Sequence, residues 1–251
     1  MYYPSLNMKL TNLIITCLLT IVLGCKGMNI TEASKAQTKQ QLVLGSIGSE
    51  KQYILQQRFN GSAIPSYKRP IKLEVNQITF NKQTFKLFIK ANSSQASNVS
   101  IQYVDSLAKK PNYVQLQVVD KLAVVEAMNN RENHGIKNYL SHNRYANVVT
   151  SISMALNQKA FEAITTADAV FLIEKKPKIY VMQTYQDHKK SDVISFSDGV
   201  VFQYQTSNCC WQENERHQLN IVDLVGSYFN CPKNTYKSSS RAKKNINYYK
   251  L

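Results

Sequence analysis

Residues 71–90, IKLEVNQITFNKQTFKLFIK, decide the predicted fold class. Apolar and polar residues alternate through 71–76, and this period of two indicates a strand with one buried face. The same alternation returns at 85–90, after Asn81-Lys82, which resembles a turn. The stretch therefore predicts a β-hairpin.

Alternation continues through most of the chain that follows. Further strands are predicted at 99–103, 114–118, 151–156, 169–173, 179–185, 194–196 and 200–204. Asp198-Gly199, between the last two, is the strongest hairpin signal in the sequence. Several of the connections are too short for a parallel crossover, which favours an antiparallel sheet.

Helical spacing is confined to a few segments. Apolar residues recur at this spacing in 129–143 and in 219–229, whereas 158–166 predicts only a helical turn or two. Residues 122–128 are largely apolar and fit either a strand or a helix. The predicted fold class is α+β: a mainly antiparallel sheet with one or two covering helices.

The N-terminal segment carries an export signal. Lys9 is the only charged residue before position 26, and residues 13–25 read LIITCLLTIVLGC. The apolar run is shorter than the roughly 20 residues that a membrane-spanning helix needs, and it fits the core of a secretory signal. Met8 would begin a more standard signal than Met1, so both remain candidate starts.

The end of this signal, Val22-Leu23-Gly24-Cys25, resembles the lipobox of bacterial lipoproteins. The resemblance implies cleavage before Cys25 and acylation of its thiol, with palmitate or a similar chain, and hence stable anchoring in a bilayer. Residues 26–29 contain no acidic residue of the kind that sends some lipoproteins to the cell surface. The expected location is therefore the outer membrane, facing the periplasm; an ordinary cleaved signal or an uncleaved anchor is the alternative.

The remaining chain divides by composition. We predict a signal peptide at 1–24, a lipid anchor and tether at 25–69, a mostly β globular domain at 70–231 and a basic, flexible tail at 232–251. The 31 Lys and Arg against 16 Asp and Glu give a net charge of +15, and removal of Lys9 with the signal would leave +14.

The excess of positive charge indicates an attraction to polyanions. Export makes nucleic acid an unexpected partner, so the predicted partners are the bilayer itself, through Cys25, and an envelope protein, anionic glycan or anionic lipid. The alternative interpretation is that the charge serves general solubility.

Three cysteines in the C-terminal part of the chain are the best chemical signal. An exported protein can retain disulfides. Adjacent Cα atoms lie about 3.8 Å apart, too close for an unstrained Cys209–Cys210 bond. We therefore expect Cys231 to pair with one of the two, joining the predicted 219–229 helix to the last hairpin and leaving one thiol over. Thiol catalysis is the competing interpretation.

Other catalytic patterns are weak. His134, His142, His188 and His217 do not have metal-ligand spacing, and no HExxH, GxSxG or phosphate-loop motif occurs. The sequence predicts no metal and no cofactor.

Three functional hypotheses follow. The first is a non-catalytic binding or structural lipoprotein of the cell envelope. The second is a hydrolytic or thiol-dependent envelope enzyme that uses Cys209, Cys210 or His217. The third is a carrier in which a curved sheet and a helical lid hold an apolar ligand.

Overall fold

The computed structural model of the chain describes residues 35–53, 56–97, 99–106 and 108–243. The predicted signal and Cys25 lie outside these ranges. Within them the chain forms a sheet of eleven strands and five α-helices. The strands are β1 (Ala36–Gln37), β2 (Ile47–Tyr53), β3 (Gln56–Ala63), β4 (Ile71–Thr79), β5 (Asn112–Val118), β6 (Ala146–Leu156), β7 (Ala169–Lys176), β8 (Ile179–Gln186), β9 (Lys189–Ser195), β10 (Gly199–Glu213) and β11 (Leu219–Gly226). The helices are α1 (Lys82–Asn92), α2 (Lys121–Asn129), α3 (His134–His142), α4 (Gln158–Thr165) and α5 (Ser239–Ala242).

All described strand pairs are antiparallel, which confirms the predicted fold class. The main path through the sheet is β1-β10-β6-β5-β4-β7-β8-β9. The β2–β3 hairpin joins it at β6, and β11 joins it at β10.

Strand β10 is the longest strand and serves two sets of neighbours. On one side its first half pairs with β6. On the other side it pairs with β1 at Gln203–Tyr204 and with β11 from Ser207 onward. A bulge interrupts the β6 pairing between Val201 and Gln203, and a bulge of this kind allows two consecutive side chains to share a face.

The two faces of the sheet are covered differently. The first, the core face, packs against α2, α3 and α4 and holds the larger apolar core. The second, the split face, holds a smaller cluster under α1 that includes Phe80, Phe88, Tyr113 and Phe202. We call this cluster, together with Phe85, the aromatic half of the split face.

Helix α1 replaces the second strand of the hairpin predicted at 71–90. The Asn81 side chain accepts a hydrogen bond from the Thr84 backbone amide at 2.8 Å. The Asn81 backbone amide donates to the Thr84 hydroxyl at 2.9 Å. This reciprocal cap begins a helix. Its buried residues, Thr84, Leu87, Phe88 and Ala91, follow helical spacing, so the alternation of 85, 87 and 89 was misleading.

A helix was predicted at 219–229, but residues 219–226 form strand β11 and residues 227–229 form a turn. Ile221 and Leu224 are buried on the core face of β11. The Asn129 side chain accepts from the Ile221 amide at 3.1 Å and donates to its carbonyl at 2.6 Å, satisfying backbone groups at the outer edge of the strand. The pairing of this segment with β10, which the sequence does not reveal, holds it as a strand.

The prediction of a hairpin at Asp198-Gly199 was also wrong. Strand β9 pairs with β8, whereas β10 pairs with β6. Asp198 instead caps a short 3-10 turn by accepting from the Ser195 amide at 2.9 Å. A Cβ atom on Gly199 would lie 2.5 Å from the Ala155 carbonyl, so this glycine serves close packing.

The prediction at 99–103 was wrong as well, because these residues join no strand. The helical predictions for 129–143 and 158–166 were confirmed by α3 and α4, and 122–128 is helical in α2. The strands at 71–76, 114–118, 151–156, 169–173, 179–185 and 200–204 were also confirmed.

The described residues of the predicted tether contribute three strands to the sheet. Residues 35–69 contain β1, β2 and β3, and Leu44 and Ile47 are fully buried. Gly45 has a φ of 77° and lies where a Cβ would come within 2.7 Å of the Tyr67 ring. The Tyr67 hydroxyl donates to the Gly45 carbonyl at 2.7 Å, which fixes this segment against the core face.

Candidate functional site

The cysteines of the C-terminal part form one disulfide, between Cys210 and Cys231. It joins β10 to the segment after β11, across a sequence separation of 21 residues. Chain-entropy arithmetic for a loop of this size gives a stabilisation of about 3 kcal/mol. A backbone bridge between Trp211 and Tyr236 reinforces the connection, with N–O distances of 2.7 and 3.0 Å.

The described part of the predicted tail, 232–243, packs against the rest of the molecule. Ala242 in α5 is buried in the core, and the Ser239 hydroxyl donates to the Ser141 carbonyl at the end of α3.

Cys209 is the remaining thiol of this group, and it is buried on the core face with 4% of its surface exposed. Burial raises the pKa of its thiol to about 12, so the thiol keeps its proton at neutral pH. A nucleophilic cysteine requires the thiolate and access to substrate. The environment of Cys209 supplies neither.

His217 does not approach Cys209. Cys209 lies opposite Leu224, well inside the β10–β11 ladder. His217 lies in the turn between the two strands, beyond the last pair of the ladder, Glu213 and Leu219. Its Nδ1 atom lies 3.7 Å from the Glu213 carboxylate.

The other histidines are equally dispersed. His134 and His142 lie at opposite ends of α3, and His188 lies in the β8–β9 turn. Among the residues that the structure describes, no group of three or more His, Cys, Asp and Glu side chains forms a candidate metal site.

The split face carries a polar arrangement that sequence reasoning missed. Directly paired residues of antiparallel strands share a face, and the registers place polar residues opposite one another across four strands. One row runs Gln203, Ser153, Gln115, Asn76, and the second runs Gln205, Ser151, Gln117, Glu74. We call these eight residues the polar half of the split face.

A hydrogen bond connects the two rows, and a second one joins them to Lys35. The Gln115 amide nitrogen donates to the Ser151 hydroxyl at 3.2 Å, and its amide oxygen accepts from the Lys35 ammonium group at 3.0 Å. Ser151 and Ser153 are buried between their larger neighbours, whereas the four glutamines are half-buried. The glutamine amides thus present both donors and acceptors on a surface fixed by the sheet.

The margin of the polar half adds charge and aromatic surface. Lys72, Glu74 and Asn76 are exposed on β4. On the neighbouring strands, Phe171 and Tyr185 form an edge-to-face pair with ring centroids 5.3 Å apart. Phe171 lies opposite both Lys72 and Gln183 in the ladders.

The sequence shows the polar residues of this half strand by strand, but it does not show that they align. Gln115, Gln117, Ser151 and Ser153 are the polar members of alternating strands. Their alignment depends on which strands are neighbours and in which register, and alternation alone specifies neither.

A groove lies beside β3, the strand that pairs with β2. Its volume is about 360 Å³, and most of its walls are formed by residues 40–43, Phe59 and residues 61–64. Leu42 and Phe59 supply buried apolar surface, and Gln40, Gln41 and Ser62 supply polar groups. A volume of this order lies within the range of small-molecule sites.

A buried tyrosine pair lies near the β3–β4 connection. The Tyr180 hydroxyl donates to the Pro65 carbonyl at 2.7 Å and accepts from the Tyr67 amide at 3.0 Å. Burial raises the pKa of both hydroxyls, so both remain protonated. These hydroxyls satisfy backbone groups and hold the connection in place.

No model of a known protein family matches the chain, and no curated protein matches its sequence.

Among the described helices, none combines the length and apolar character needed to cross a membrane.

Proposed function

We propose that this protein is a non-catalytic lipoprotein of the cell envelope, anchored in the outer membrane through acylated Cys25 and facing the periplasm. Its sheet binds an anionic glycan of the envelope on the polar half of the split face. The two rows of amide and hydroxyl side chains across β10, β6, β5 and β4 carry this proposal.

The chemistry of the rows suits a glycan. A glycan presents hydroxyl, amide and carboxylate groups at short intervals, and each glutamine amide can donate to one such group and accept from another. Three strand spacings give each row a span of about 14 Å. The rows lie on strands, so their geometry is fixed before a ligand arrives, which limits the entropy lost on binding.

The charge of the protein favours an acidic ligand. The net charge of +15, or +14 once Lys9 is removed with the signal, attracts polyanions from a distance. Lys35 and Lys72 place ammonium groups beside the rows. Phe171 and Tyr185 add a half-buried aromatic surface next to Lys72. Aromatic and basic side chains together are typical of binding surfaces.

The anchor has its own test. We expect the intact mass of the full chain, extracted from its native membrane, to begin at Cys25 and to include acyl chains. The C25S variant should lack that added mass. A mature chain that begins elsewhere, or that carries no lipid, would overturn the lipoprotein assignment without bearing on glycan binding.

Glycan binding is tested with the full chain in detergent and with purified, solubilised envelope glycan as the probe. The Q117A/Q203A variant should bind at least about tenfold more weakly, because each lost amide hydrogen bond contributes about 1 kcal/mol. Q186A, which removes an exposed glutamine from the end of β8, is the matched control and should bind like the wild type. Equal binding by all three proteins would reject the polar half as the site.

The groove beside β3 favours a second candidate function, the carriage of an apolar ligand. Leu42, Phe59 and Ile64 provide the apolar lining. In this case a lipid-like molecule should co-purify with the full chain and be detected by mass spectrometry of an organic extract. The G61L variant would fill part of the groove and should reduce the amount recovered, whereas an equal amount would exclude the groove as the site.

A further inference from the structure

Two adjacent aromatic side chains are exposed after β11. Tyr228 and Phe229 have 68% and 65% of their surface exposed. Two large rings side by side on the surface form an apolar patch, and such patches mark contact sites more often than single exposed residues do.

The structure holds this patch in place. The Phe229 amide donates to the Gly226 carbonyl at 3.0 Å, closing a tight turn directly after the strand. The Lys237 ammonium group donates to the Ser227 carbonyl at 2.9 Å. The disulfide at Cys231 fastens the following residues to β10, so the exposure of the rings is a fixed feature of the fold.

The charged residues of the segment around the patch are all basic. Residues 227–243 contain Lys233, Lys237, Arg241 and Lys243 and no acidic residue. All four basic side chains are exposed. The aromatic pair therefore lies in a segment whose charge complements an anionic surface.

The described chain begins close to this patch. On β10, β1 and β11 both lie on the side away from β6, with Ala36 opposite Tyr204 and Gly226 opposite Ser207. Three residues along a strand cover about 10 Å. Cys25 precedes Lys35 by ten residues, a length that spans at most about 35 Å.

We propose that the Tyr228–Phe229 turn is a membrane-contact surface that binds a bilayer containing anionic lipid. The aromatic rings enter the interfacial region, where such side chains are enriched in membrane proteins. Lys233 and Lys237 lie near the negatively charged headgroups, and each basic residue close to such a surface contributes to attraction. Acylation of Cys25 would bring this turn close to a bilayer, and that step alone rests on the proposed function.

A tryptophan reporter tests the contact. Trp211 is the only tryptophan of the chain and is 2% exposed, so F229W adds one surface reporter to a buried background. The full-length F229W chain is reconstituted into vesicles of phosphatidylethanolamine and phosphatidylglycerol, with and without brominated acyl chains. We expect bromine to lower the added emission about twofold or more, because an interfacial ring lies within its reach.

The I179W variant is the matched control. Ile179 has 54% of its surface exposed, at the start of β8 and five strands away from β10, a distance of about 24 Å. Its emission should be insensitive to bromine. Equal quenching of the two reporters, or no quenching of F229W, would overturn the membrane contact.

Two further measurements separate this proposal from the anchor. F229W in a C25S background, mixed with the same vesicles, should still be quenched by bromine on anionic vesicles, even if Cys25 carries no lipid in the native protein. The K233E/K237E substitutions in that background should abolish the quenching, and so should vesicles of phosphatidylcholine alone. Quenching that survives both changes would contradict the role of charge.

Discussion

The two halves of the split face are built by the same four strands and differ sharply in chemistry. Tyr113 on β5 belongs to the aromatic half, and Gln115, two residues later, belongs to the polar half. On β6 the change is from Ala155 to Ser153. On β10 the bulge places Phe202 in the aromatic half, while Gln203 pairs with Ser153 in the polar half.

The difference follows the position of α1. The helix packs Leu87, Phe88 and Ala91 onto the aromatic half, where ring centroids of Phe80 and Tyr113 lie 4.8 Å apart. The polar half lies outside this cluster and has the composition of a surface that meets polar groups. We infer that the aromatic half supplies stability, and the polar half is the surface that we propose as the glycan site.

The largest expected effect comes from the aromatic half. F202A removes a fully buried ring that contacts Phe80, Phe88 and Tyr113. We expect the free energy of unfolding to fall by about 3–5 kcal/mol, measured by urea denaturation. A loss below about 1 kcal/mol would mean that this half contributes no more to stability than a surface.

Alkaline pH tests a buried thiol on the core face. Burial raises the pKa of Cys209 to about 12, whereas an unfolded thiol ionises near pH 8.5. The stabilisation is therefore complete below about pH 8.5 and is lost as the pH rises toward the folded value, by up to about 1.4 kcal/mol per pH unit.

We expect C209A to remove the part of this slope that Cys209 contributes between about pH 8.5 and 10, a difference near 2 kcal/mol, measured as denaturation midpoints under non-reducing conditions. F202A, which leaves Cys209 and its surroundings on the core face in place, should keep the slope that Cys209 contributes. Parallel curves for C209A and the wild type would show that the thiol is not the group that titrates.

Loss of the α1 cap should have a smaller effect. N81A removes the acceptor for the Thr84 amide, and the loss of such a cap costs about 1 kcal/mol. The change should also increase hydrogen exchange in α1 and in the aromatic half. Exchange that rises equally in the polar half would show that α1 supports the whole split face, which would weaken the distinction between the halves.

The smallest expected effect on stability belongs to the polar half. Q117A should change the free energy of unfolding by less than about 0.5 kcal/mol, as for an ordinary surface substitution, although Q117A/Q203A is expected to lose glycan binding. A loss of several kcal/mol from Q117A would mean that the polar row is structural, and the contrast with F202A would disappear.

Much of the sheet was predictable because alternation survives wherever one face is buried. It located β4, β5, β7 and β8 closely. It failed at α1, because a helix lying on a sheet can place aromatic residues at both helical and alternating positions. At β11 helical spacing was the misleading signal, because apolar residues that lie three and four positions apart resemble one face of a helix.

The candidate site was less predictable than the fold. The cysteine pairing with Cys231 followed from covalent geometry, which a sequence specifies locally, although the choice of Cys210 did not. The rows of Gln115, Ser153 and Gln203 depend on pairing between strands that are distant in sequence. The amino-acid sequence of each strand does not specify the register in which it pairs with its neighbours.

The length of β10 has a consequence for the order of folding. Its neighbours lie at residues 36–37, 146–156 and 219–226, so the middle of the sheet pairs segments from both ends of the chain. Contacts of such wide sequence separation slow folding. A chain that emerges N-terminus first cannot complete this sheet until residues 219–226 are available, so the central pairing of β10 forms late.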